Sequence, residues 1–417
     1  MPNLLRRILK RFGPGFITGA SDDDPSGIAT YTQSGAGFGL GQIWTVLFMW
    51  PMMISIQEMV ARIGMVAGQG LTSVVRKKYS KWILYVLVFL VLVANTINIG
   101  ADLGAMADTT RLIIPQVPFA VLAIGYTVLI LFLEIFITYK TYAKVLKWFA
   151  LTLLSYVVTV FLVTTDWKSL FSVAFIPHFE LTKEFVMMIV ALLGTTISPY
   201  LFIWQGNEEI EEEITQGRNT IAKRKGATAH EIADMRTDTV IGMTFSQLIT
   251  FCIIATAAFA FFRHGLYDIQ TSAQAAEALV PLAGRFASYV FAIGVIGTGL
   301  LAVPVLSASA SYALSEAFGW KEGLYKKFKQ AHGFYGVITI STLIGLLINF
   351  MGVNPIKALI WAAVLNGLVT PPLILIILKV SNDKKIMGSR VNGWLSNTLG
   401  IITFLVTTVC AILVFVL

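Results

Sequence analysis

Six consecutive residues near the start of the chain, Asp22-Asp23-Asp24-Pro25-Ser26-Gly27, interrupt an apolar stretch running from about 14 to 38. A second apolar stretch, about 183–205, is interrupted at Gly194-Thr195-Thr196-Ile197-Ser198-Pro199. The chemistry these residues offer is that of hard oxygen ligands. Asp24 precedes Pro25, which has no N–H and steers its predecessor out of helical geometry. Gly27 adds backbone freedom. The expected result is an unwound turn where a half-helix ends in free carbonyls beside the Asp24 carboxylate, a place suited to a cation. Asp22 and Asp23 are expected to cap this break or to hydrogen-bond across it. At the second break Pro199 cannot donate to the Thr195 carbonyl, and the Ser198 hydroxyl lies one turn away. The candidate cation ligands are therefore Asp24, the backbone at Gly27, the Thr195 carbonyl and Ser198. Ser198-Pro199 alone reads equally well as a kink in a packed helix; its pairing with the Asp24 break makes it a candidate.

The elements that must position these residues are membrane helices. Of the 417 residues 56% are hydrophobic and only 13% charged, against roughly 25% charged in soluble domains. Mean hydropathy is +0.76. Apolar runs long enough to cross a hydrocarbon core of roughly 30 Å recur along the whole length. Eleven are read, near 14–38, 43–64, 82–104, 117–138, 142–165, 183–205, 237–262, 286–315, 335–351, 355–379 and 394–416. The fold class is all-α, polytopic, in one transporter domain over 1–417. Five spans plus five plus one suggests a first repeat at about 12–165, a second at about 182–380 and an extra helix at about 394–416. A unit of five crossings re-enters the membrane from the opposite side when duplicated, so spans one and six would face each other with their breaks matched.

The net charge of +8 is explained by topology rather than by nucleic acid. Of the 31 basic residues, all but Arg111, Lys168, Lys183, Arg263, Arg285 and Lys357 fall on one side when the spans alternate. That side is cytoplasmic by the positive-inside rule, which puts the N-terminus inside and the end of the eleventh span outside. The basic stretch 1–11 reads as an amphipathic lead without a cleavage signal. Cys252 and Cys410 lie in apolar spans and read as buried small hydrophobes. His178, His230, His264 and His332 all fall in predicted loops, which leaves no histidine cluster within the membrane.

Other polar residues carry weaker signals. Glu58 is one turn from Arg62, and an intrahelical ion pair explains it about as well as a functional role. Glu134 is expected to meet Lys140 or Lys144. Asn98, Gln247 and Asn366, with Tyr200, are candidates for lining the path, and each of the amides reads slightly better as an interhelical hydrogen bond than as a ligand. Glu208, Glu209, Glu211, Glu212 and Glu213 are expected to form the solvated end of the sixth helix, or else an acidic vestibule.

Gly13-Pro14-Gly15-Phe16, Asp24-Pro25-Ser26-Gly27 and Gln33-Ser34-Gly35-Ala36-Gly37-Phe38-Gly39 together resemble the first-helix signature of the Nramp divalent-metal transporters. The resemblance implies a LeuT-like fold of two inverted five-helix repeats, with a metal held at the paired breaks. The departures are informative. The family's Asp-Pro-Gly-Asn reads here with Ser26 and Gly27 in its last two places, and its Met-Pro-His reads Ser198-Pro199-Tyr200. The acidic pair of the family's third helix falls near Asn98 and Ala101, with Asp102 adjacent. The arginines of its ninth helix are missing from 335–351. These changes resemble the Nramp-related magnesium transporter branch. An oxygen-only site suits Mg²⁺ and Mn²⁺, and fewer side-chain ligands leave room for water that Mg²⁺ surrenders reluctantly. The expected protein is a monomeric importer in the cytoplasmic membrane for Mg²⁺, and also Mn²⁺, working by alternating access without proton coupling, with no cofactor. Its alternatives are a proton-coupled Mn²⁺/Fe²⁺ importer of the main family and a LeuT-fold amino-acid symporter, whose substrate carboxylate would meet Asp24 head on. A membrane-embedded enzyme would need a nucleophile or His/Asp constellation that the spans do not offer.

Overall fold

The computed structural model describes residues 13–164, 166–269, 272–352 and 355–416, so the basic lead at 1–11 lies outside them. The first span is two half-helices, α1 (Pro14–Asp22) and α2 (Pro25–Phe38). α3 (Trp44–Ala67), α4 (Lys81–Ile113) and α5 (Phe119–Phe136) follow. The fifth span joins α6 (Tyr139–Ala150) and α7 (Leu154–Val163) through a 3₁₀ turn. The sixth is again two halves, α8 (Lys183–Thr196) and α9 (Pro199–Thr215). α10 (Ala229–Ala260), α11 (Val280–Phe318), α12 (His332–Ile348), α13 (Pro355–Ser381) and α14 (Trp394–Val416) complete the order.

Among the described residues, nine segments are long and apolar enough to cross a membrane, the α8–α9 pair counted as one. The broken first span and the shorter apolar α12 bring the count to the eleven expected. Several ends differ. α4 runs on to Ile113, α9 to Thr215, and α10 starts at Ala229, so that His230 sits in its first turn and His332 opens α12. A short helix, Ser272–Ala278, stands before the eighth span.

Burial orders the spans from centre to rim. The α8–α9 pair is 94% buried in its apolar window, while α5 is 22% and α14 is 17% buried. The broken spans form the axis of the molecule, and α5 and α14 turn their apolar surfaces to lipid. Close approach depends on small residues. A Cβ on Gly19 would fall 2.2 Å from the Gly242 carbonyl oxygen, so α1 and α10 meet backbone to backbone. In α11, Gly297 makes room for Thr152 and Gly299 for Met106. Cys252 and Cys410 are free thiols.

Candidate cation site at the paired helix breaks

α1 starts where Asp238 of α10 accepts from the N–H groups of Gly13 (2.8 Å) and Gly15 (2.7 Å). It ends at Asp22. Asp23 has left helical geometry (φ −86°, ψ 52°), and Asp24 is extended (φ −67°, ψ 169°). The Asp24 carboxylate then caps α2, its Oδ1 accepting from Gly27 N–H at 2.6 Å, a standard way to satisfy a free helix-start donor. Oδ2 accepts from the Asn98 side chain of α4 at 3.3 Å. Asp24 is 1% exposed.

Asp22 and Asp23 neither cap the break nor bridge it. Both reach sideways to α10, Asp22 accepting from Ser246 (2.8 Å) and Asp23 from Thr250 (3.2 Å). Each keeps one buried oxygen without a protein partner.

In the sixth span α8 stops at Thr196 because Ser198, ahead of Pro199, is extended (φ −81°, ψ 134°). The Thr195 carbonyl expected to stand free accepts from the Ser198 hydroxyl, which also donates to Gly194 O at 2.7 Å. The second lone pair of that carbonyl is left for a further partner. Thr370 of α13 donates to Ile197 O at 3.0 Å and to Asn366 O at 2.7 Å. Asn366 Oδ1 is buried without a partner.

The two breaks touch at Gly27. A Cβ there would lie 3.1 Å from Thr195 Oγ1 and 3.2 Å from Asp22 O. Tyr31 Oη stands 3.5 Å from Thr195 Oγ1, and the Tyr200 hydroxyl donates to Ser21 O at 3.0 Å. The structure thus gathers Asp24, Gly27, Thr195, Ser198, Tyr200 and Asn98, with Asn366 behind the second break. Gln247 is not gathered. It sits one residue from Ser246, but its side chain reaches Met53 Sδ (3.5 Å) and lines a separate apolar cavity with Trp50 and Phe251.

Residues not counted among the candidate ligands also stand here. Asp102, one turn after Asn98 on α4, is fully buried, with the Ser26 backbone and the Asp24 carboxylate close to its own carboxyl group. Its spacing from Asn98 was the available signal. Ser246 and Thr250 carried none, since a serine and a threonine one turn apart in an apolar helix are ordinary. Among the described residues no three His, Cys, Asp or Glu side chains converge on a point where a metal could sit. A cation beside Asp24 would be completed by carbonyls, hydroxyls, amides and water.

Two expectations at the periphery change. The acidic end of α9 is not solvated. Glu208, Glu209, Glu211 and Glu213 are buried, and only Glu212 is exposed. Tyr139 donates to Glu208 (2.8 Å), and Tyr312 and Leu324 N–H donate to Glu211 (2.5 and 2.7 Å). Glu134 accepts from Ser307 of α11 at 2.6 Å rather than from Lys144, and the Lys140 side chain lies outside those described. The Glu58–Arg62 pair is present (3.0 Å), and Arg236 of α10 joins it at 2.8 Å.

Paired broken helices meeting at a buried carboxylate, inside a bundle of eleven crossings, define a polytopic membrane protein of LeuT-like architecture. The structure is similar to the Eremococcus coleocola manganese transporter (TM-score 0.78, 14% identity, 99% of this chain and 87% of that one). It is also similar to the LeuT-fold protein Mhp1, a nucleobase-cation-symport-1 family transporter (TM-score 0.58, 13% identity, 97% and 92%). Residues 15–417 match the family described as Nramp, natural resistance-associated macrophage protein-like, and the chain belongs to that family. Relatives include the divalent metal cation transporters MntH of Clostridium acetobutylicum, 26% identical over 404 residues (95% of this chain, 88% of the relative), and of Bacillus subtilis, 25% identical over 421 residues (98% and 92%).

Proposed function

We propose that this protein moves divalent metal cations across the cytoplasmic membrane by alternating access. We infer further that it imports hard ions, chiefly Mg²⁺ with Mn²⁺ also carried, as a monomer and without obligatory proton coupling. The observation that carries this reading is the meeting of Asp24 with an oxygen-lined second break across Gly27. Asp24 supplies the charge. Thr195, Ser198 and the backbone around Gly27 supply neutral oxygens, and water completes the shell. The sulfur and imidazole that would favour softer ions have no counterpart at Ser198 and Tyr200. Proton coupling is also unnecessary for import. A divalent ion entering across about 100 mV, inside negative, gains about 4.6 kcal/mol, roughly three decades of concentration ratio.

A proton-coupled Mn²⁺ importer is the second reading. It is favoured by the names of the relatives and by Asp102, a buried carboxylate beside Asp24 that could hold a proton. Proteoliposome uptake under an imposed potential, with internal pH recorded, separates the two. Mg²⁺ uptake that competes with Mn²⁺ and leaves internal pH unchanged is expected. Acidification in step with Mn²⁺ uptake, together with strong Cd²⁺ transport, would select the second reading. Asp24→Ala is expected to lower uptake more than about tenfold, the scale of a lost charged partner at about 1.5–3 kcal/mol. Wild-type uptake in that variant would remove Asp24 from the site.

A further inference from the structure

A cavity of about 220 Å³ opens on the basic face of the protein, far along the chain from either helix break. Lys77, Lys78, Lys225 and Lys385 line it, with Gln69 at its wall. The lysines come from three separate connections. Lys77 and Lys78 end the short helix Leu71–Lys78 after the second span. Lys225 closes the turn Ile221–Arg224 between the sixth and seventh. Lys385 belongs to Lys384–Met387, between the tenth and eleventh. Among the described residues one carboxylate pairs with them, Asp383, which meets Lys78. Lys77 donates to the neutral Gln69. Four ammonium groups from distant parts of the chain are thus drawn around one space, with a single carboxylate paired to them among the described residues.

The depth of this space is marked by tryptophan. Trp82, across the extended Tyr79-Ser80 link from Lys78, is 77% exposed at the start of α4, and Trp394 is 78% exposed at the start of α14. Exposed tryptophans at the ends of lipid-facing helices sit at headgroup level. Basic pockets between helices on the cytoplasmic side suit phosphate-bearing lipid headgroups. We propose that this cavity binds the phosphate-bearing headgroup of an anionic phospholipid of the cytoplasmic leaflet, clamping together the three connections that supply its lysines.

The test is a thermal-unfolding titration of the full-length protein in neutral detergent with short-chain phosphatidylglycerol, phosphatidylcholine or inorganic phosphate. Phosphatidylglycerol is expected to raise the unfolding temperature saturably, while the other two do not at matched concentration. Each lysine removed is expected to weaken the apparent affinity about fivefold. The triple variant Lys77→Ala/Lys225→Ala/Lys385→Ala should then lose about a hundredfold. The corresponding Lys→Arg variant should retain most of the affinity, and single Lys225→Ala gives the same direction should the triple fail to fold. Equal loss in a control triple on the same face, Lys144→Ala/Lys321→Ala/Lys329→Ala, would mean diffuse surface charge and overturn the proposal. An equal effect of inorganic phosphate would make the ligand a soluble anion and overturn it too, as would the absence of any phosphatidylglycerol effect.

Discussion

Gly27 is the residue on which both helix breaks bear. Its missing side chain is what lets Thr195 Oγ1 and the Asp22 carbonyl stand where a Cβ would find them at 3.1 and 3.2 Å. A methyl there must push one of these groups back by a few tenths of an ångström. Gly27→Ala is therefore expected to widen the gap between the breaks and lower divalent-cation uptake about tenfold, in line with overpacking costs of about 1–3 kcal/mol. Uptake measured beside the unfolding temperature distinguishes this from misfolding. A variant that transports normally would mean that the approach of the two breaks is incidental to transport. The same geometry explains a departure from the family pattern. Gly27→Asn would not simply restore the missing amide ligand, because its Cβ meets Thr195 first.

At the scale of elements, the broken helices hold because other helices satisfy their loose ends. The start of α1 depends on Asp238, whose two oxygens serve Gly13 and Gly15. Asp238→Ala leaves two partly buried donors unmet and is expected to cost about 1–2 kcal/mol of stability, read as a lower unfolding temperature, with Asp238→Asn falling between. An unchanged temperature would show that α1 starts without this cap. The connection after α11 carries a pH-dependent element of its own. Burial, and then the negative charge of Glu316, push the Glu322 carboxyl up to about 9 against the opposing charges of Arg76 and Lys326. The folded protein keeps this proton where the unfolded chain, near 4.5, has released it, so stability is lost as pH rises from about 4.5 towards 9. Glu322→Gln should raise the unfolding temperature more at about pH 8 than at about pH 5; equal gains would count against it. The spans and both breaks were legible in the sequence, because apolar length and the proline positions determine them. The direction in which a side chain leaves a helix was not. Nothing in Asp22-Asp23-Asp24 says that the first two turn to α10 while the third caps α2. Nor does the run at Glu208–Glu213 announce tyrosines from α6 and α11 waiting for it.

At the scale of the whole molecule, the charge asymmetry makes a prediction about sidedness. With Cys252 and Cys410 replaced by alanine, a cysteine introduced as Lys329→Cys should react with an impermeant thiol reagent only from the cytoplasmic side. One introduced as Glu180→Cys should react only from outside. The reverse pattern would invert the orientation and, with it, the direction of transport argued from the membrane potential. The burial of the α9 carboxylates reaches beyond the finished protein to its manufacture. The end of α9 bears Glu208, Glu209, Glu211 and Glu213, and buried carboxylates of this kind are costly without hydrogen-bond partners. Two of those partners, Tyr312 and the backbone at Leu324, are synthesised about a hundred residues later. The far end of the sixth span therefore gains these partners only once the eighth span and the connection after it have been made.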